Sequence, residues 1–297
     1  MDSASMRSRW SEVLALYASN PTIQTRTAQA VLGGLYADRL AWAFLAGYQQ
    51  ALRALCPQID TQTLAAFCVT ESGGNSPSAI QACLQADGDD FLLSGEKTFV
   101  TGAAEADLLL VAATTGIDDQ DRSVIKMVEL QARQAGITIT AGRDLGVVPE
   151  LPHGAARFDN VRVQASHILT GDGYTNYIKR FRTLEDIHVQ SATCGYLLSI
   201  ARRFDWPDDV IEPLIAIIAM YCSLEDADPD SAGTHIQLAA IEAFWAQWLD
   251  RSSAYWDLVT DDERSRWQRD SKLMQVASKT RSIRRQRAWE RIARSRS

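Results

Sequence analysis

The sequence predicts an α+β protein in which a β domain lies between two helical segments, as three changes of residue pattern indicate. Apolar residues recur three or four positions apart up to about residue 55, short β-branched runs follow, and helical spacing returns after about residue 173. The predicted domains are an N-terminal helical domain over 1–63, a β middle domain over 64–172 and a C-terminal helical bundle over 173–297.

The N-terminal segment is predicted to be helical from about Arg7 to Leu55. Apolar side chains such as Leu40 and Phe44 recur three or four residues apart, which places them on one face of a helix. Pro57 ends this pattern, because proline cannot continue a helix.

The middle segment contains short β-branched or alternating runs separated by Gly, Asp and Asn, a pattern that is typical of strands joined by turns. We therefore expect a compact barrel or sandwich. The predicted strands are Ala65–Val69, Phe91–Leu93, Leu108–Ala112, Ser123–Val128, Gly136–Thr140 and Ala155–Val163.

The C-terminal segment begins after Gly171-Asp172-Gly173, where helical spacing returns. Within it, Ile236–Leu249 carries Trp, Phe and aliphatic side chains on one stripe. Such a stripe is far more typical of a bundle core than of a ligand site, so we assign it to packing.

Composition argues against several classes of protein. The longest apolar run, Leu214–Cys222, is well short of the roughly 20 residues that a membrane span needs. The start, Met1-Asp2-Ser3, has no basic-then-apolar segment, so a secretory signal is not expected. Five scattered cysteines without a C-x-x-C pair favour reduced thiols in the cytoplasm over a disulfide framework or a zinc site, and no metal centre is expected.

The formal net charge of −7 is unevenly distributed, because residues 262–297 contain twelve Lys or Arg and only four Asp or Glu. A basic C-terminal helix on an acidic body can bind nucleic acid, anionic lipid or a phosphorylated ligand, or can be a solvated or salt-bridged surface. Nucleic acid is disfavoured, since no DNA-binding fold accompanies the basic helix.

Two segments carry the polar groups of a candidate site. Phe67–Ser76 runs from a strand into a turn rich in Gly, Ser and Asn, where backbone N–H groups and hydroxyls can hold a heterocycle edge or a phosphate. Within Gly95–Gly102, the alternation of a strand places Phe99 and Thr101 on one face, where an aromatic ring and a hydroxyl can line a planar cofactor.

Together these segments resemble the flavin-binding middle domain of acyl-CoA dehydrogenases. In that family the two segments are approximately T-E-P-G-A-G-S-D and G-x-K-x-W-I-T-N, at matching spacing. Further matches, in the same order, are Ala106–Leu108, Asp144–Gly146, Phe158–Val163 and Leu169–Gly171. The departures within these motifs are Ser72 for Pro, Asn75 for Gly, Pro77 for Asp, Phe99 for Trp and Gly102 for Asn. The helical regions on either side of the middle domain match the family less well. The resemblance is therefore to a shortened, divergent member.

The resemblance implies an FAD-binding homo-oligomer that acts on an acyl-CoA or another acyl thioester, with an electron-transfer partner possible. It places Val69 and Thr70 at the pyrimidine edge of the flavin, Thr101 near N5 and Phe99 on the ring. Ser76 is expected to face either the acyl-CoA or the phosphate side of the flavin. The matched motifs add two further cofactor-binding residues at their ends, Phe67 and Thr280.

The resemblance also indicates where the catalytic base lies. Most of the family have this Glu in a C-terminal stretch whose register is matched here by Arg269–Thr280, and Ser278 occupies the position of the Glu. Other members have the base on the first helix after the β domain, ten residues before a glycine. Counting back from Gly195 gives Glu185 as the predicted base, and His188 is a weaker candidate.

The sequence therefore supports two functions. The first is an FAD-dependent oxidoreductase that forms an α,β-double bond in an acyl thioester, with Glu185 removing the α-proton. The alternative is a non-catalytic homologue that binds FAD or acyl-CoA as a regulatory or partner subunit, which Ser278 favours together with the lack of the family's E-R-x-x-F-G motif around Arg202 and Arg203.

Overall fold

The structure is a computed structural model that describes residues 5–142 and 144–295, and its chain divides into two compact units. The β unit contains Leu55–Leu145 and Pro149–Phe181 with the start of the first helix. The helical unit contains Arg9–Ala54, Gly146–Val148 and the chain from Arg182 onward. The N-terminal and C-terminal helices thus share one unit, and the three-domain division remains a prediction.

Seven strands of the described chain form one sheet in the order β1-β4-β2-β3-β7-β6, with β5 also paired to β4. β1 runs parallel to β4, whereas β3 pairs antiparallel with both β2 and β7. The strands are β1 (Ala65–Cys68), β2 (Cys83–Asp87), β3 (Asp90–Thr101), β4 (Leu108–Ile117), β5 (Ser123–Gln131), β6 (Ile137–Ala141) and β7 (His153–Val163).

The sheet is curled, because apolar side chains from all seven strands meet in one cluster. Leu93 and Val100 of β3, Leu109 of β4 and Phe158 of β7 are among its buried members, and Ile139 of β6 packs against it. The predicted α+β class and the six predicted strands are confirmed. β2 was missed because Leu84 is its one buried side chain, which leaves too little alternation to detect.

The N-terminal segment is helical, as predicted, and consists of three helices. These are α1 (Met6–Ser19), α2 (Arg26–Leu35) and α3 (Leu40–Leu55). The second helix begins at Thr25, whose side chain accepts a hydrogen bond from the Ala28 N–H as an N-cap. At the other end of α2, a Cβ on Gly34 would lie 1.9 Å from the Ala192 carbonyl oxygen, so only glycine fits there.

The C-terminal region is helical as predicted, and a π-helical turn at Gly173–Ile178 leads into it. In the stripe assigned to packing, Trp245 and Trp248 are buried, but Phe244 is 51% exposed, so that assignment is wrong for Phe244. The helices are α4 (Lys179–Arg203), α5 (Asp208–Cys222), α6 (Ala232–Ser252), α7 (Asp261–Asp270) and α8 (Ser278–Arg294).

No helix within the described ranges combines the length and the apolar composition that a membrane span requires. The start Met1-Asp2-Ser3, on which the prediction about a secretory signal depends, lies outside the described residues.

Candidate active site

The polar turn after β1 is closed by backbone hydrogen bonds between Glu71 and Gly74. Each residue donates its N–H to the other's carbonyl oxygen, at 2.9 Å in both directions. Gly74 has a φ of 110°, which glycine adopts without the strain that a Cβ would cause. The chain therefore reverses directly beyond Val69 and Thr70 and presents Ser72–Ser76 at the surface.

The turn is anchored by a buried ion pair. The Glu71 carboxylate accepts hydrogen bonds from the backbone N–H groups of Gln81 and Ala82, at 2.9 and 3.0 Å. It also accepts one from Lys97 Nζ at 2.5 Å, and the Lys97 side chain is completely buried. Burial lowers the pKa of Lys97, although the Glu71 carboxylate opposes this shift.

The same turn is joined to β3 through the backbone. The Thr98 N–H donates to the Thr70 carbonyl oxygen at 2.8 Å, and Lys97 Nζ donates to the Val69 carbonyl oxygen at 3.4 Å. Val69 and Thr70 are thereby brought beside the strand that carries Phe99 and Thr101.

Phe99 is held outward by a β-bulge. The pairing of β3 with β7 shifts between Lys97 and Val100, and Phe99 has a left-handed φ of 55°. Val100 is fully buried, whereas the Phe99 ring is 52% exposed and Thr101 is half-buried. A large apolar ring is therefore presented at the surface beside a hydroxyl.

The remaining predicted contacts in the β unit have different surroundings. Ser76 is exposed, with its Oγ 3.1 Å from that of Ser78, at the start of a short 3-10 helix. The Phe67 ring packs against the Phe181 ring with their centroids 4.2 Å apart, so its side chain is part of an aromatic contact within the unit.

Glu185 lies near the start of α4 in the helical unit, where it is half-buried. Within the described chain its carboxylate makes no hydrogen bond or ion pair. Burial, and then repulsion from the adjacent Asp186, raise its pKa to about 7, against the opposing attraction of Arg281 and Arg182. A carboxylate in this state can take up or release a proton near neutral pH.

Asp186 binds both arginines that approach this part of α4. Arg281 contacts its Oδ1 at 2.8 Å and Arg284 contacts its Oδ2 at 2.7 Å. Both arginines also lie within 3.6 Å of Glu242. Two of the basic residues of α8 thus form salt bridges within the unit, as the structural interpretation of this helix expects, while Lys279, Arg285 and Arg287 are exposed.

Other candidates have less suitable surroundings. Ser278 and Thr280 are exposed on the first turn of α8, and His188 is buried with its Nδ1 2.7 Å from the Leu184 carbonyl oxygen. Burial lowers the pKa of His188, which keeps its ring neutral. Arg203, which lies where the family's E-R-x-x-F-G motif is lacking, forms an ion pair with Glu263.

Sequence reasoning missed the role of Lys97 and the salt bridges of Asp186. Leu93, Gly95 and Lys97 alternate on one face of β3, so the strand period alone places this lysine toward the core. The partners of Asp186 are about 95 residues away in sequence, and no local pattern indicates such a contact.

Comparison with known proteins identifies the β unit. Residues 66–161 match the sequence family described as the acyl-CoA dehydrogenase middle domain. The chain is 28% identical to 3-(aryl)acrylate reductase of Clostridium sporogenes over 60% of this chain and 43% of that protein. It is 27% identical to the probable acyl-CoA dehydrogenase YngJ of Bacillus subtilis, over 46% of this chain and 36% of that protein. The matched region spans less than half the length of both relatives.

Solved structures show the same fold. Butyryl-CoA dehydrogenase from Megasphaera elsdenii superposes with a TM-score of 0.65 at 15% identity, covering 89% of this chain and 81% of that one. The prolyl acyl carrier protein oxidase AnaB superposes with a TM-score of 0.64 at 16% identity, covering 90% and 82%.

The β unit therefore contains an acyl-CoA dehydrogenase middle domain, the class of domain that its motifs and sheet indicate. The helices before and after this domain complete a fold that the chain shares with these solved structures.

The buried ion pair generates a first testable prediction. Replacing Lys97 by Met leaves the Glu71 carboxylate buried without its cation, which typically costs about 3–5 kcal/mol. We expect the midpoint of urea unfolding to fall sharply in Lys97→Met. Lys126→Met, which removes a β5 lysine that forms no ion pair within the described ranges, should change the midpoint little. Equal midpoints in the two variants would contradict the assignment.

The raised pKa of Glu185 leads to a second testable prediction. Because its folded-state pKa of about 7 lies above its ordinary value of 4.5, the folded protein binds the proton more tightly and loses stability as the pH rises through this window. Glu185→Gln cannot ionise, so its melting temperature relative to the parent should increase from about pH 4.5 to about pH 7 and then level off. If the difference in melting temperature stays constant or decreases with pH, the ionisation of Glu185 does not destabilise the protein.

Proposed function

We propose that this chain is an FAD-dependent oxidoreductase that forms an α,β-double bond in an acyl thioester. The observation that carries the proposal is the carboxylate of Glu185. It lies on the first helix after the β domain, forms no ion pair with any described residue, and has its pKa raised to about 7.

The residues of the β unit fit a flavin. The half-buried hydroxyls of Thr70 and Thr101 make no hydrogen bond within the described chain, so both are available to the polar edge of a heterocycle. The exposed Phe99 ring offers an apolar surface for a planar ring system. The Ser72–Ser76 turn adds hydroxyls and backbone N–H groups that suit a phosphate.

When bound, FAD supplies the acceptor for a hydride from the β-carbon. Glu185 takes the α-proton and becomes a carboxylic acid, and the two electrons of the α-C–H bond form the new double bond. A base whose pKa is near the working pH combines a large ionised fraction with sufficient basicity. The partial burial that raises the pKa of Glu185 therefore also prepares it for this step.

The experiment is the anaerobic reduction of the FAD-loaded protein by a panel of acyl-CoA thioesters. We expect the parent to lose flavin absorbance with at least one of them. Glu185→Gln should react about a hundredfold to ten-thousandfold more slowly, because general-base catalysis contributes rates of that order. Flavin content should be unchanged, and Glu212→Gln, which alters an exposed carboxylate on α5, should react like the parent.

Two results would contradict this proposal. If the protein does not bind FAD, the assignment of the β unit to a flavin site fails. If Glu185→Gln is reduced as fast as the parent, another group removes the proton.

A second candidate function is a non-catalytic subunit that binds FAD or acyl-CoA. Ser278 favours it, since the exposed hydroxyl at the position of the usual base cannot accept the proton unaided. A parent protein that binds FAD but is not reduced by any thioester of the panel would support this function.

The proposed enzyme is expected to be a homo-oligomer, as the resemblance implies. The exposed apolar side chains of Ile215, Phe244 and Trp289 would be covered in such an assembly. Its electron-transfer partner and a cytoplasmic location remain predictions from the sequence.

A further inference from the structure

The helical unit contains a small cavity of about 140 Å³ among α1, α2 and α3. The described residues that line it all lie between Arg9 and Leu45. None of them is a predicted flavin contact, and none belongs to α4 or to the C-terminal segment matched to the catalytic base. An apolar cavity of about 150 Å³ holds one benzene molecule, so a body of about six heavy atoms fits here.

One part of the cavity wall is apolar. Val13 and Leu16 of α1 line it, and they lie three residues apart on one face of that helix. Leu45 and the Trp42 ring of α3 line it as well. These side chains favour a ligand whose body is apolar, because burying such a body removes apolar surface from water.

Two N–H groups at the cavity are without an acceptor. Trp42 Nε1 and Arg9 Nε are both buried, and neither has a hydrogen-bond partner among the residues that the structure describes. The Trp42 side chain is only 4% exposed, and the Arg9 guanidinium carbon lies 5.7 Å from the centroid of its ring. Indole and guanidinium N–H groups only donate, and buried donors are normally paired. The missing partner is therefore an acceptor such as an oxygen atom.

The charges around these donors are balanced. Arg9 Nη1 donates to Glu12 Oε2 at 2.8 Å, and Arg9 Nη2 lies 3.7 Å from Asp38 Oδ2. Asp38 also forms an ion pair with Arg39 at 2.9 Å. Two cations and two anions thus compensate one another, which leaves no excess positive charge for an anionic ligand. A neutral acceptor is favoured, because a buried charge without a partner is costly.

We propose that this cavity binds a small neutral carbonyl compound. Its oxygen accepts hydrogen bonds from Trp42 Nε1 and Arg9 Nε, and its apolar body packs against the α1 and α3 side chains. A carbonyl oxygen suits two donors because it has two lone pairs. The site goes beyond the proposed oxidoreductase activity and does not depend on it, since the residues assigned to that reaction do not belong to the described lining.

The test compares two ring compounds of the same shape on the full chain. Cyclopentanone has the carbonyl oxygen, whereas methylenecyclopentane has a CH₂ group in its place. Ligand-observed NMR titrations measure the affinity of each compound, and we expect the parent to bind cyclopentanone saturably. In Trp42→Phe, the affinity for cyclopentanone relative to methylenecyclopentane should fall about fivefold, because only the ketone loses a hydrogen bond. Any change in the size of the cavity affects both compounds and cancels in this ratio.

A second variant tests the other donor. Arg9→Lys keeps the positive charge beside Glu12 and Asp38 but has no N–H group at the position of Nε, so it should lower the same ratio about as much. The matched control is Trp289→Phe, which alters an exposed ring on α8 outside the cavity and should leave the ratio at its parental value.

Two further variants show where the compounds bind. Val13→Phe places a larger ring into the cavity from a half-buried position on α1 and should abolish binding of both compounds, with its melting temperature showing that it is folded. Glu185→Gln should bind both like the parent. The proposal would be overturned if the parent does not bind cyclopentanone saturably, which leaves the cavity to water. It would also be overturned by equal ratios in Trp42→Phe, Arg9→Lys and Trp289→Phe, or by binding that persists in folded Val13→Phe.

Discussion

The buried ion pair between Glu71 and Lys97 is the contact on which the candidate flavin-binding surface depends. Each of the two buried charges is compensated by the other. Removal of either one leaves an uncompensated charge out of water, which destabilises the folded protein. The carboxylate of Glu71 also holds two backbone N–H groups ahead of β2, and Lys97 reaches the carbonyl of Val69. One pair of side chains thus fixes three separate stretches of backbone.

The proposed catalytic base depends on how charge is distributed in the helical unit. Asp186 binds Arg281 and Arg284, whereas its neighbour Glu185 forms no ion pair within the part of the chain that the structure describes. Burial and the repulsion from Asp186 raise the pKa of Glu185 by more than the attraction of Arg281 and Arg182 lowers it. A salt bridge next to the base is therefore compatible with a base that ionises near neutral pH.

Local patterns in the sequence were sufficient to predict most of the β unit. Alternation and turn residues located six strands, and the spacing of polar motifs located the turn after β1 and the pair formed by Phe99 and Thr101. β2 was missed because its burial does not alternate. The breaks at 20–25 and 36–39 were missed because apolar spacing continues on both sides of each turn.

Contacts between distant segments could not be predicted in this way. The arginines that bind Asp186 come from a helix far away in sequence, and this contact depends on how the bundle packs rather than on any local pattern. The bulge that turns Phe99 outward is likewise set by the register between β3 and β7, which a single strand does not reveal.

The affinity for FAD shows whether the Glu71–Lys97 pair positions the candidate flavin-binding surface. Glu71→Gln keeps the size of the side chain but removes its charge, and Glu96→Gln does the same to an exposed carboxylate on β3. With both proteins folded by circular dichroism, we expect FAD to bind at least tenfold more weakly to Glu71→Gln and with parental affinity to Glu96→Gln. Parental affinity in Glu71→Gln would contradict it.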